Sequence, residues 1–72
     1  MNTPDAVKRE MFGLAYIDRV ITGHDKEGYQ TAEFRLYRTS DDKELFRHER
    51  IHEIYAYCFL HGLSNRDVKR IG

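Results

Sequence analysis

The sequence predicts a single α+β domain, in which an antiparallel β-hairpin packs on one main α-helix and short helices lie at both ends of the chain. Three observations predict this class: strict polar and apolar alternation over 31–38, a polar loop bounded by glycines at 23–28, and apolar residues at three- and four-residue spacing after position 50. With 72 residues, the chain has room for one small core. We therefore expect one domain over 1–72, without a deep substrate cleft.

The first predicted element is a short helix over 4–12. Thr3 is a suitable N-cap, and Pro4 fits the first helical position because its missing N–H needs no partner there. Asp5 favours the positive end of the helix. Gly13 is the expected end of this helix.

A strand is predicted over 14–22, because this segment is rich in β-branched and aromatic residues. Its alternation is imperfect, and a second interpretation is a continuous helix over 4–21. That interpretation rests on five apolar residues at helical spacing, namely Val7, Met11, Leu14, Ile17 and Ile21. The loop at 23–28 then leads to the next strand.

The strand over 31–38 has the clearest pattern in the chain, because polar and apolar residues alternate throughout. The inner face carries Ala32, Phe34 and Leu36, and the outer face carries Glu33, Arg35 and Tyr37. This alternation is typical of a strand with one side on a core and the other in water.

The main helix is expected from Glu44 to a stop at Gly62, and the residues at 40–42 can cap its N-terminus. Its inner stripe consists of Ile51, Ile54, Tyr55 and Cys58, with Phe59 at the margin. The start of this helix is open, because 44–47 also fits a third short strand.

A short helix over 65–71, capped by Ser64, is expected at the end of the chain. Residues 61–72 resemble the opening of a helix-turn-helix, with a Gly62-Leu63-Ser64 entry, a small apolar residue at 68 and a glycine at 72. In that family the next helix enters the major groove of DNA. The sequence ends where this helix would begin, so we expect no base readout by that route.

The basic residues of this segment, Arg66, Lys69 and Arg70, have two interpretations. They form a small cationic patch that contacts phosphate, or they complement the negative end of a terminal helix. They are the candidate residues for nucleic-acid binding, the alternative function.

The motif His48-Glu49-x-x-His52 has the spacing by which one turn of helix offers two imidazoles to zinc, with a carboxylate as general base. A third ligand is missing, because Cys58 and His61 lie about 9 Å and about 13.5 Å further along the same helix axis. We expect the two imidazoles to pack beside the core. No metal or other cofactor is predicted, and a zinc site is a further alternative.

The amino-acid composition limits the classes of partner and the cellular compartment that we expect. The 12 Lys and Arg residues are balanced by 12 Asp and Glu residues, which disfavours broad nucleic-acid binding.

Cys58 is the single cysteine, so no internal disulfide can form, and a reducing compartment is expected. No apolar run approaches the ~18 residues that span a bilayer, and no N-terminal leader is recognised. A soluble, cytoplasmic protein without a membrane partner is predicted.

The sequence contains no glycine-rich phosphate loop and no Cys-x-x-Cys pair. We therefore predict a non-enzymatic binding module that contacts another protein as a regulator, inhibitor or accessory factor, either as a monomer or as a homodimer. The predicted contact residues are Tyr37, Arg50, Glu53 and Tyr57, since tyrosine and arginine contribute disproportionately to interfaces.

Overall fold

A computed structural model of the chain describes residues 5–71. In chain order the elements are α1 (Asp5–Phe12), β1 (Ala15–His24), β2 (Gln30–Arg38), β3 (Lys43–His48), α2 (Ile51–Leu60) and β4 (Val68–Arg70). The mixed α+β class is confirmed. The predicted cap at Thr3 and Pro4 lies outside the described residues. Neither α1 nor α2 has the length and apolar character needed to cross a membrane.

The strands form one four-stranded sheet in the order β3-β2-β1-β4. The β3–β2 and β2–β1 pairs are antiparallel, whereas β4 runs parallel to β1. Ile17 pairs with Leu36, and Leu36 pairs with Phe46 on the next strand. The predicted hairpin on one main helix is therefore wrong in scale, because two further strands extend the hairpin on both sides.

The strand predicted over 14–22 is confirmed as β1, and the continuous helix over 4–21 is wrong. Gly13 separates the two elements with φ +72°, a left-handed conformation that ends α1. A Cβ at this position would lie 2.5 Å from the Asp67 carbonyl oxygen. Close approach of the chain after α2 therefore requires glycine here.

The main helix begins later than predicted. The segment 44–47, for which a third short strand was the alternative, is part of a strand. Residues Lys43–His48 form β3, and α2 begins only at Ile51. Leu45 and Phe46 pack against the core from this strand. Backbone pairing with β2 determines the structure of this segment. The sequence of 44–50 alone does not show that pairing.

The predicted stop at Gly62 is confirmed by a Schellman motif. Gly62 has φ +75°, and its N–H donates to the Phe59 carbonyl at 3.2 Å. The Leu63 N–H donates to the Cys58 carbonyl at 2.8 Å, and Leu63 packs against the core. The chain therefore turns back toward the sheet directly after α2.

The predicted C-terminal helix over 65–71 is wrong, because this segment contains a turn and then β4. The Asp67 carboxylate accepts hydrogen bonds from the Ser64 N–H and hydroxyl, both at 2.9 Å. These bonds lower the pKa of Asp67. The Asp67 carbonyl accepts from the N–H groups of Leu14 and Ala15 at 2.7 and 3.0 Å. Ser64 and Asp67 thus form a turn, with the same side chains that favour a helix cap.

The core lies between α2 and the adjacent face of the sheet. Its buried members are Ala15, Ile17, Leu36, Ile54, Cys58 and Val68. A core of this size gives a 72-residue chain only modest stability.

Candidate protein-interaction surface

Helix α2 is apolar on both its inner and its outer side. Ile54 and Cys58 are buried against the sheet, whereas Phe59 and Leu60 remain 83% and 79% exposed. Tyr55, predicted to belong to the inner stripe, is 42% exposed. Helices of globular proteins usually carry polar residues on the side away from the core. The outer side of α2 departs from this rule.

We define the α2 outer surface as Tyr55, Ala56, Phe59 and Leu60. Tyr55 and Phe59 are four residues apart, as are Ala56 and Leu60, so the four side chains are neighbours on the helix. All four are exposed, and the sequence contains no Asp, Glu, Lys or Arg between positions 54 and 65. The surface is therefore continuous, apolar and uncharged.

Two of the predicted contact residues lie at the N-terminal end of α2. Arg50 occupies the N-cap position and is exposed, and its N–H donates to His48 Nδ1 at 3.0 Å. Glu53 lies in the first turn, where a carboxylate favours the positive helix end. Both residues therefore place charge at the N-terminal end of α2.

Tyr57 lies on the other side of α2, within a column of four rings. Its ring stacks on Phe46 with centroids 4.6 Å apart and on His61 with centroids 4.0 Å apart. The Phe46 ring stacks in turn on His48 at 6.3 Å. Both faces of the Tyr57 ring are therefore occupied within the chain, and Tyr57 holds α2 on β3.

Tyr37 lies on the opposite face of the sheet from α2, because its neighbour Leu36 points into the core. The Tyr37 ring stacks on Tyr16 with centroids 5.2 Å apart. The four predicted contact residues therefore do not form one surface: Arg50 and Glu53 lie at the N-terminal end of α2, Tyr57 packs on β3, and Tyr37 lies on the opposite face of the sheet.

Next to Tyr37, this face of the sheet carries a compact set of ion pairs. Arg35 Nε lies 2.8 Å from Glu33 Oε2, and Arg47 bridges the carboxylates of Glu33 and Glu44 at 3.4 and 2.7 Å. Two arginines are thus balanced by two glutamates. This face offers a partner little net charge.

The predicted helical His48-x-x-x-His52 geometry is wrong. His48 is the last residue of β3, whereas His52 is the second residue of α2, with a bend at 49–50 between them. The two imidazoles therefore do not lie one turn apart on a single helix. Within residues 5–71, no three His, Cys, Asp or Glu side chains are grouped so that they could hold a metal ion.

The predicted cationic patch is dispersed by the strand that replaces the C-terminal helix. Arg66 lies in the turn before β4, whereas Lys69 and Arg70 are consecutive strand residues and point to opposite faces. The Arg70 guanidinium lies over the Phe34 ring, 5.1 Å from its centroid. The three cations therefore do not present one face to a phosphate backbone.

Sequence reasoning missed Phe59 and Leu60 as surface residues. The signal was present in the run Tyr55-Ala56-Tyr57-Cys58-Phe59-Leu60, which contains more apolar residues than one side of a helix can bury.

Comparison with known proteins found no matching family model, no similar curated protein and no similar solved structure.

Proposed function

We propose that this chain is a non-enzymatic protein-binding module that acts through the α2 outer surface. The observation that carries the proposal is the exposure of Phe59 and Leu60, at 83% and 79%, beside Tyr55 on a well-formed helix. Large apolar side chains clustered on one helix are typical of a surface that a partner covers.

The energy available from this surface is considerable. Full burial of a Phe or Leu side chain contributes about 1.5–3 kcal/mol, so Phe59 and Leu60 together offer about 3–6 kcal/mol. A complex of micromolar affinity needs about 8 kcal/mol. The contact must therefore extend to Tyr55 and to charged residues such as Arg50 and Glu53.

The partner we propose is a different protein with an apolar groove that accepts α2. The helix has 10 residues and is about 15 Å long. Two such helices packed side by side would bury far less than the ~800 Å² per partner of a stable interface. A groove encloses more of the helix, and this mode of recognition recurs among helix-binding proteins. A homodimer is the competing arrangement, which a formal net charge of zero does not oppose.

A module of this kind acts by occupying a surface of its partner, as regulators, inhibitors and accessory factors do. The proposal includes a cytoplasmic location. The single thiol, Cys58, is buried, and burial raises its pKa, so that it stays protonated and unreactive at neutral pH. A reducing compartment suits such a thiol.

The test is affinity capture with matched variants. The wild type is compared with Phe59→Ser/Leu60→Ser and with Tyr29→Ser, which removes an exposed ring from the β1–β2 loop. We expect a protein retained by the wild type and by Tyr29→Ser to be lost by the double variant. Equal recovery on all three proteins contradicts the proposal. Light scattering over a range of concentrations separates a foreign partner from a second copy.

A further inference from the structure

A cavity of about 230 Å³ lies at the end of the sheet where β1 begins and β2 ends. Its apolar walls are formed by Leu14, Ala15, Leu45 and Leu63. These residues come from four separate parts of the chain: the α1–β1 link, β1, β3 and the segment after α2. The cavity is distinct from the α2 outer surface, because none of the four residues of that surface lines it.

The lining contains one polar group with an unmet requirement. Thr39 is only 3% exposed, and among residues 5–71 its hydroxyl has no hydrogen-bond partner. Its backbone N–H is satisfied by the Leu14 carbonyl at 3.0 Å. A buried hydroxyl without a partner destabilises the folded chain, so a ligand that supplies the partner gains affinity.

The Thr39 oxygen is itself covered in the structure, so a ligand in the cavity pairs with the hydroxyl only after a change of χ1. A staggered step about χ1 exchanges the position of the hydroxyl with that of another substituent on Cβ. The oxygen can donate one hydrogen bond and accept others. Thr39 is thus able to pair with a hydroxyl, a carbonyl or an amide of a ligand.

The charge at the rim is already balanced. Arg38 lines the cavity, and its guanidinium donates two hydrogen bonds of 2.9 and 2.5 Å to Asp41. Asp41 in turn has a pKa well below its usual range, chiefly because of this arginine. The cavity therefore favours an uncharged ligand over an anion or a cation.

We infer that this cavity binds a small neutral molecule with one apolar ring and a single hydrogen-bonding group placed against Thr39. The volume supports this class, because a cavity of about 150 Å³ accommodates benzene, which leaves about 80 Å³ here for a substituent. The apolar walls bind the ring, and the Thr39 hydroxyl selects the polar substituent.

The experiment measures binding of p-cresol and toluene, which share a ring and a methyl group and differ by one hydroxyl. Chemical-shift titrations of the backbone amides of Leu14, Ala15 and Leu45 report on the cavity. We expect saturable shifts with both probes, and about fivefold tighter binding of p-cresol, the effect of one neutral hydrogen bond. In Thr39→Val this preference should disappear, while toluene binds as before.

Two further variants complete the test. Ser40→Ala changes a neighbouring exposed hydroxyl at the rim and should preserve the preference for p-cresol. Leu63→Phe should fill the cavity and weaken both probes. If Thr39→Val does not fold, Thr39→Ala replaces it. Absence of saturable shifts in the wild type, equal affinity for the two probes, or a preference that survives removal of the Thr39 hydroxyl would overturn the inference.

Discussion

The Tyr16 hydroxyl donates a hydrogen bond of 2.6 Å to Asp42 Oδ1, and the Lys8 ammonium contacts the same oxygen. One carboxylate thereby connects β1, the β2–β3 turn and α1. Asp42 has φ +57°, a left-handed conformation that, among residues other than glycine, asparagine and aspartate adopt most readily. The turn thus holds this carboxylate where the tyrosine and the lysine reach it.

We predict that Tyr16→Phe lowers the melting temperature by about 4–8 °C, the effect of losing one hydrogen bond of about 1 kcal/mol in a domain of this size. The pKa of Tyr16 is raised by burial and then by its bond to Asp42. A raised pKa in the folded state means that this contribution is complete below about pH 10 and is lost at higher pH. Thermal melts from pH 7 to pH 11 check this, and Tyr16→Phe should show the weaker alkaline decline. An equal decline in both proteins contradicts it.

A second prediction concerns the stability of the fold at acidic pH. The pKa of Asp42 is lowered, first by Lys8 and then by Tyr16. A lowered pKa in the folded state means that the contribution is present above about pH 4 and is lost as the pH falls further. Asp42→Asn accepts the left-handed backbone but removes the charge. We expect it to be less stable than the wild type at pH 7 and to approach the wild type near pH 2.5. Urea unfolding at the two pH values measures this, and a constant difference argues against the ion pair.

Two glycines with positive φ provide a matched pair. Gly13 has φ +72° and a Cβ there would meet the Asp67 carbonyl, whereas Gly28 has φ +88° and a Cβ there would meet nothing within 4 Å. We expect Gly28→Ala to cost about 1 kcal/mol from backbone strain and Gly13→Ala to cost at least about 2 kcal/mol more. Urea unfolding tests the difference. Equal destabilisation by the two substitutions would mean that the Asp67 carbonyl does not lie close to Gly13.

The strand over 31–38 and the helix stops at Gly13 and Gly62 could be predicted because each depends on a local cause. The alternation over 31–38 fixes the face of every side chain, and the two glycines adopt a conformation that favours their residue type. The start of α2 could not be predicted with the same assurance, because 44–50 contains two apolar residues that suit both a helix and an edge strand. Long-range pairing of Phe46 with Leu36 decides between them.

The C-terminal segment shows why a local signature can mislead. Ser64 followed by Asp67 has the composition of a helix start, and both side chains do satisfy backbone groups there, but as a turn. The strand that follows depends on pairing of Val68 with Ala15, far away in sequence. The same limit applied to the candidate site: the apolar run over 55–60 indicates a helix with two apolar sides, but the side that faces the sheet is determined by the packing of Ile54 and Cys58.

The orientation of α2 is tested by two substitutions on the same helix. Ile54 is fully buried, and Leu60 is 79% exposed. We expect Ile54→Ala to destabilise the fold by about 2–5 kcal/mol, which is enough to unfold much of so small a domain. Leu60→Ala should change stability by no more than about 0.5 kcal/mol. Circular dichroism melts of the two variants give the comparison, and similar losses would mean that Leu60 is covered by the chain itself.

The most direct measurement of the central claim is photo-crosslinking in the native host, with a photoreactive phenylalanine analogue at position 59 or at position 29. Both sites are highly exposed, so neither should disturb the fold. The account predicts a discrete protein adduct from position 59 and none from position 29, with the adduct mass distinguishing a foreign partner from a second copy. An adduct pattern that is the same at both positions, or no adduct from position 59, would contradict the assignment of the α2 outer surface as the binding site.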